Sequence, residues 1–142
     1  MSKHHNIIVN IVVSNLVEAI AFYKKVFKTK VKHIHYDEKI LLKPTTSRNI
    51  IHAILTINNV VISISELITR PNLKTIPPTL QGNNIKLFIL FKNYNELENV
   101  YHLLKKNNST IILTLDPKKE TQAIIKDKYG ITWQLAVHKV TH

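Results

Sequence analysis

The 142-residue chain reads as an α+β protein of two tandem strand–helix–strand–strand–strand modules. Three observations predict this. An asparagine cap followed by an amphipathic stripe occurs twice, each time just after a branched-aliphatic run. Each helix is followed by short aliphatic or alternating segments rather than by more helix. Finally, Asn58-Asn59 and Gly130 supply the left-handed backbone that tight turns between strands require.

Residues 6–13 (Asn-Ile-Ile-Val-Asn-Ile-Val-Val) predict a buried strand, because β-branched side chains fit a pleated surface and crowd a helix. Asn15 with Glu18 matches a helix start, where the asparagine oxygen accepts a free backbone N–H. Leu16, Ala19, Ile20, Tyr23, Val26 and Phe27 then recur at helical spacing, with Glu18, Lys24 and Lys25 outside the stripe. Residues 29–37 predict a second strand. Residues 44–49 are a loop, since Pro44 is barred from interior ladder positions. Residues 50–57 and 60–68 predict two strands joined by Asn58-Asn59. Residues 70–84, carrying Pro71, Pro77, Pro78 and Gly82, predict a linker.

The pattern then restarts. Residues 85–92 predict a strand, and Asn95 with Glu98 repeats the cap. Leu97, Val100, Tyr101 and Leu104 repeat the stripe, which ends at Lys105 and Lys106. Residues 109–115, 122–126 and 131–137 predict three more strands. In the last, Ile131, Trp133 and Leu135 alternate with Thr132, Gln134 and Ala136, so one face enters a core and the other stays available. The caps at 15 and 95 lie 80 residues apart (95 less 15), the mark of an internal repeat. One domain is expected over 1–142, with module one at about 5–69, a linker at about 70–84 and module two at about 85–139. A single helix covers one face of each four-stranded sheet. The uncovered faces are expected to curl as one mixed sheet around a central cavity, helices outside.

Composition narrows the function classes. There is no cysteine, which excludes disulfides, thiolate metal sites and a cysteine nucleophile. No apolar run approaches the ~20 residues of a membrane-spanning helix, so a cytoplasmic protein with no membrane partner is expected. The net charge is +11, from 20 Lys+Arg against 9 Asp+Glu, which favours anionic ligands. The lysines are dispersed and aromatics are few, which argues against nucleic-acid binding. Two glycines cannot build a phosphate-cradling loop.

The segment 15–27, with its Glu-Ala-Ile-Ala-Phe-Tyr-Lys-Lys-Val-Phe, resembles the first-helix signature of the vicinal oxygen chelate superfamily, which covers glyoxalases, bleomycin-resistance proteins and extradiol dioxygenases. Ile51-His52-Ala53, Ser65-Glu66 and the segment 127–135 are similar to its PhnB-like branch. Two departures stand out. Lys28 occupies the place of a helix-ending glycine, and Lys119-Glu120-Thr121-Gln122 replaces a Trp-Gly element.

The resemblance implies inward-facing metal ligands on the first and last strand of each module. Carried over, these positions hold Ile8, Ser63 or Ser65, Lys86 and Gln134. None is the His or Glu that a divalent ion prefers, so neither the family's metal nor any other cofactor is expected. The same carry-over implies a cavity face that includes Asn10, Lys86, Phe88, Thr132 and Gln134, and alternation adds His52, Ser63 and Ser65; these eight are the expected ligand-lining set. His52, with Glu66 nearby, is the candidate general base. His33 and His35 share a strand face in the i, i+2 geometry a metal could use, without an evident third ligand. His4, His5, His138 and His142 are expected in solvent, and His102 beside the helical stripe.

The expected function is binding of a small, anionic or partly hydrophobic organic molecule by a homodimer. The alternatives are a metal-dependent lyase, isomerase or dioxygenase of glyoxalase type, and a basic polyanion-binding module.

Overall fold

The computed structural model describes residues 7–36, 50–66, 82, 84–106, 108–116 and 122–138. The chain divides into two compact units, Met1–Thr79 and Leu80–His142. The first contains β1 (Val9–Val13), α1 (Leu16–Phe27), β2 (Val31–Tyr36), β3 (Ile50–Ile57) and β4 (Val60–Glu66). The second contains β5 (Leu87–Phe91), α2 (Tyr94–Lys105), β6 (Thr110–Leu113), β7 (Gln122–Lys126) and β8 (Thr132–Val137). Each unit is one βαβββ module with a four-stranded mixed sheet, in the orders β1-β4-β3-β2 and β5-β8-β7-β6. The expected loop at 44–49 and nearly all of the expected linker lie outside the described residues.

In the first unit β1 runs parallel to β4, while β3 pairs antiparallel with both β4 and β2. Strand alternation sorts the side chains. Ile11, Val13, Ala53, Leu55, Ile57, Ile62 and Ile64 are buried on the face that α1 covers. Leu16, Ala19, Ile20, Phe22, Tyr23 and Val26 of the helix meet them. Each fully buried aliphatic or aromatic side chain contributes about 1.5–3 kcal/mol over its exposed state, so this layer dominates the unit's stability. Phe22 joins the predicted stripe, packing edge-on against Tyr23 at 5.2 Å between ring centroids. Phe27, at the stripe's end, is half-buried and stacks on Tyr23.

Local chemistry closes the elements. Asn15 accepts the backbone N–H of Glu18 at 3.2 Å, as a cap should. The helix ends on Lys28 at φ 50°, ψ 44°, a left-handed position held without glycine. Asn58 and Asn59 both have positive φ (47° and 65°), which matches the twist of a two-residue hairpin. The Thr29 hydroxyl donates to the carbonyl of Thr56, fastening the start of β2's segment to the end of β3.

The second unit repeats this plan. β5 runs parallel to β8, and β7 pairs antiparallel with β8 and β6. Ile89, Phe91, Ala123, Ile125, Trp133 and Leu135 are buried on the face under α2, against Leu97, Val100, Tyr101 and Leu104. Ile131 precedes the strand, which begins at Thr132.

One expectation is corrected. The second helix is capped by Asn93, which accepts the N–H of Glu96 at 2.9 Å, and not by Asn95, which lies inside the helix. The earlier cap leaves Lys92 and Asn93 between β5 and α2, matching Ser14 and Asn15 in the first unit. The repeat offset is therefore 78 (93 less 15). It also superposes Tyr101 on Tyr23 and Leu104 on Val26, each pair buried.

Candidate functional site

In each module most of the expected ligand-lining positions lie on the sheet face opposite the helix. In the first unit that face is set by the ladder. Asn10 pairs with Ser63 and Val12 with Ser65, while His52 pairs with Ser65, Ile54 with Ser63 and Thr56 with Val61. Asn10, His52, Ser63 and Ser65, all expected ligand-lining residues, therefore share one face. A direct contact supports it: Asn10 Nδ2 donates to Ser65 Oγ at 3.0 Å. His52, Ser63 and Ser65 are half-buried, and Asn10 is exposed.

Glu66 does not join them. It follows Ser65 on β4 and pairs with Val13 of β1, so alternation sends it toward the helix-covered face. His52 and Glu66 are thus on opposite sides of the sheet, and no general-base pair forms between them.

In the second unit Phe88 pairs with Gln134 and Leu90 with Ala136; Ile124 pairs with Gln134 and Gln122 with Ala136. Gln134 Nε2 donates to Gln122 Oε1 at 3.2 Å. Phe88 and Leu90 remain 51% and 48% exposed, an apolar edge beside an amide pair. Thr132, opposite Lys126, is buried at 5%, and Lys86 is exposed immediately before β5. Gln122 and Ile124 complete this face and were not anticipated. The amide at Gln122 would have stood out only if the β7–β8 register were known beforehand.

The ladders also make the two copies comparable position by position. Asn10↔Ser63 in one corresponds to Phe88↔Gln134 in the other. Ile8 and Lys86 are equivalent by the 78-residue offset, and Ser63, not Ser65, is the counterpart of Gln134. The family's four expected ligand positions therefore carry an alkyl chain, a hydroxyl, an ammonium and an amide. Gln134 is occupied by its bond to Gln122. Taken one by one, an alkyl group cannot ligate a divalent ion, an ammonium repels one, and a neutral hydroxyl or amide is a weak donor. Among the described residues, no group of three or more His, Asp or Glu could hold a metal ion.

Of the remaining histidines, His102 and His138 are exposed. His33 and His35 lie on β2, where His35 pairs with His52. His4, His5 and His142 lie outside the described residues. No helix among the described residues is long and apolar enough to cross a membrane.

Comparison with known proteins agrees with this architecture. A family model described as 3-demethylubiquinone-9 3-methyltransferase matches residues 5–136. Among solved structures, a putative 3-demethylubiquinone-9 3-methyltransferase, PhnB protein, from Bacillus cereus is similar at 22% identity and TM-score 0.68, covering 94% of this chain and 100% of that one. Protein PA1353 from Pseudomonas aeruginosa matches at 15% identity and TM-score 0.71, over 96% and 100% of the two chains. The fosfomycin resistance protein FosX from Listeria monocytogenes matches at 16% identity and TM-score 0.56, over 94% and 90%. A FosX variant has been solved in complex with Mn(II) and 1S,2S-dihydroxypropylphosphonic acid. No curated protein matches.

Proposed function

Since the chain belongs to the family described as 3-demethylubiquinone-9 3-methyltransferase, a PhnB-like branch of the vicinal oxygen chelate superfamily, we propose that it binds a small anionic or partly hydrophobic organic molecule without a metal at the family's positions. The observation that carries this reading is the chemistry at the four positions that the family resemblance assigns to ligands. Ile8, Ser63, Lys86 and Gln134 offer no carboxylate and no imidazole.

The ligand class follows from what the open faces present. Asn10, Ser63, Ser65 and His52 supply neutral polar groups, Phe88 supplies apolar surface, and Lys86 supplies a cation. On the second unit, Phe88 with Lys86 just before the same strand suits a small anion with an apolar portion, and the net charge of +11 assists its approach. We propose that the protein works in the cytoplasm as a homodimer, in sequestration or resistance.

FosX, crystallised with Mn(II) and a phosphonate, favours a competing reading: a metal-dependent lyase, isomerase or dioxygenase of glyoxalase type. A thermal-shift screen of small carboxylates, phosphonates and aromatic acids separates the two, run on tag-free protein with and without a chelator. Stabilisation by one compound class that survives chelation supports metal-free binding. Stabilisation only with a divalent ion supports the enzyme.

A further inference from the structure

The open face of the second sheet changes along its strands from charged to amide-bearing. The register orders it in rows. Lys126 pairs with Thr132, and continuing the β5–β8 register one step before Leu87↔Trp133 sets Lys86 level with Thr132. One row therefore holds an ammonium side chain on either side of a buried threonine, their Cα positions about 10 Å apart across two strand spacings. In the next row Phe88 pairs with Gln134, and one row further Gln122 pairs with Ala136. Positions i and i+2 of a strand share a face, so Lys126 joins Gln122 and Thr132 joins Gln134, opposite α2. Lys126 is half-buried, and only the register reveals its place. None of the four strands carries an acidic residue. The carboxylate next to Lys126 in sequence, that of Asp127, is engaged by the indole N–H of Trp133, a residue of the helix-covered face.

The amides supply direction. Gln134 Nε2 donates to Gln122 Oε1 at 3.2 Å. A primary amide has two N–H donors and a carbonyl with two lone pairs, so this bond holds the groups side by side and leaves each with further capacity. The pair offers an N–H group and a carbonyl at adjoining points. A cyclic amide or imide edge carries the same two functions in complementary order. Phe88, 51% exposed and opposed to Gln134, gives a flat apolar surface for a ring. Successive rows lie about 6.6–6.8 Å apart, two residues of strand rise, which matches the span from an acid group to the far edge of one six-membered ring.

We propose that this face takes a planar ring bearing a cyclic amide or imide and an acid group. The ring lies against Phe88, its amide edge meets Gln122 and Gln134, and its anion sits between Lys86 and Lys126. The inference rests on the reading of the open faces as ligand sites and narrows it to one substrate class. The two lysines select for the acid, and the amide pair selects among acids. A ligand without the matching donor and acceptor leaves half-buried amide groups unpaired, which discriminates against it.

The test is isothermal titration calorimetry on the full chain purified without an affinity tag, with four probes. Orotate carries both the ring imide and the carboxylate, uracil the imide alone, and benzoate a carboxylate on a ring without an amide; 1,3-dimethylorotate keeps the acid but has no ring N–H. Orotate is expected to bind about tenfold tighter than each of the others, or more. Gln134→Leu should weaken orotate about tenfold and leave benzoate unchanged. Lys126→Ala should weaken orotate and benzoate and leave uracil unchanged. Far-UV circular dichroism checks that each variant is folded. If Gln134→Leu does not fold, side-chain amide NMR spectra of the unaltered protein decide, because orotate must shift the resonances of Gln122 and Gln134 and benzoate must not. Equal affinity for orotate, benzoate and 1,3-dimethylorotate, or orotate-induced shifts at other residues only, overturns this inference and leaves the anion-binding reading standing. No binding by any of the four probes at millimolar concentration also overturns it, and the thermal-shift screen of other anions then decides the broader reading separately.

Discussion

The Asp127 carboxylate accepts the Trp133 indole N–H through Oδ2 at 2.8 Å, while its Oδ1 accepts the backbone N–H groups of Tyr129 and Ile131 at 2.9 and 3.0 Å. One buried side chain therefore folds the Gly130 turn and fixes the core tryptophan. Gly130 contributes the positive φ of 85°, which costs glycine nothing. Replacing Asp127 by alanine leaves the indole and two amides without this acceptor. Asp127→Ala is expected to destabilise the protein by about 3 kcal/mol, and Asp127→Asn by less, since one carbonyl oxygen remains. Urea unfolding followed by the fluorescence of Trp133, the sole tryptophan, measures both.

The corrected helix start gives a second prediction. Asn93→Ala should cost about 1 kcal/mol, whereas Asn95→Ala, in the first turn, should change stability by no more than a few tenths. A larger loss at Asn95 would restore the cap expected from sequence.

Lys28 holds a left-handed conformation that a side chain disfavours. Lys28→Gly is expected to stabilise by about 0.5–1 kcal/mol and to raise Tm by about 2–4 °C. Calorimetry checks it, with Lys28→Val expected to lower Tm.

Tyr94 gives a pH dependence. Burial, and then its hydrogen bond to Glu98 and the nearby carboxylates of Glu98 and Asp116, raise the phenol above the usual tyrosine range. The fold thus favours the neutral phenol. Its contribution is complete below the unfolded tyrosine value of about 10 and is lost as pH rises through the higher folded value. The stability gap between the unaltered protein and Tyr94→Phe should therefore shrink only in strongly alkaline solution. A gap that shrinks as pH falls toward neutrality would contradict this.

These residues show what the sequence makes legible. The β3–β4 hairpin is readable because Asn58-Asn59 is a local signal that fixes register by itself. The open faces are readable by alternation, which is why Asn10, Ser63, Ser65 and His52 come together on one side. The second cap is ambiguous because Asn93/Glu96 and Asn95/Glu98 both satisfy the same spacing; the match of Tyr101 to Tyr23 separates them only once the repeat offset is known. The opposition of His35 and His52 and the Gln122–Gln134 bond depend on ladder register. For β2 and β3 that register spans a long connection, which fixes none.

The most direct measurement is the metal dependence of ligand binding. Calorimetric titration of the strongest anionic hit would be run on tag-free protein after exhaustive chelation and again with added Mn(II). We predict the same dissociation constant in both, with weakening by Lys86→Ala. Binding that appears only when the ion is present, and is lost on Ser63→Ala or Gln134→Ala, would contradict the account.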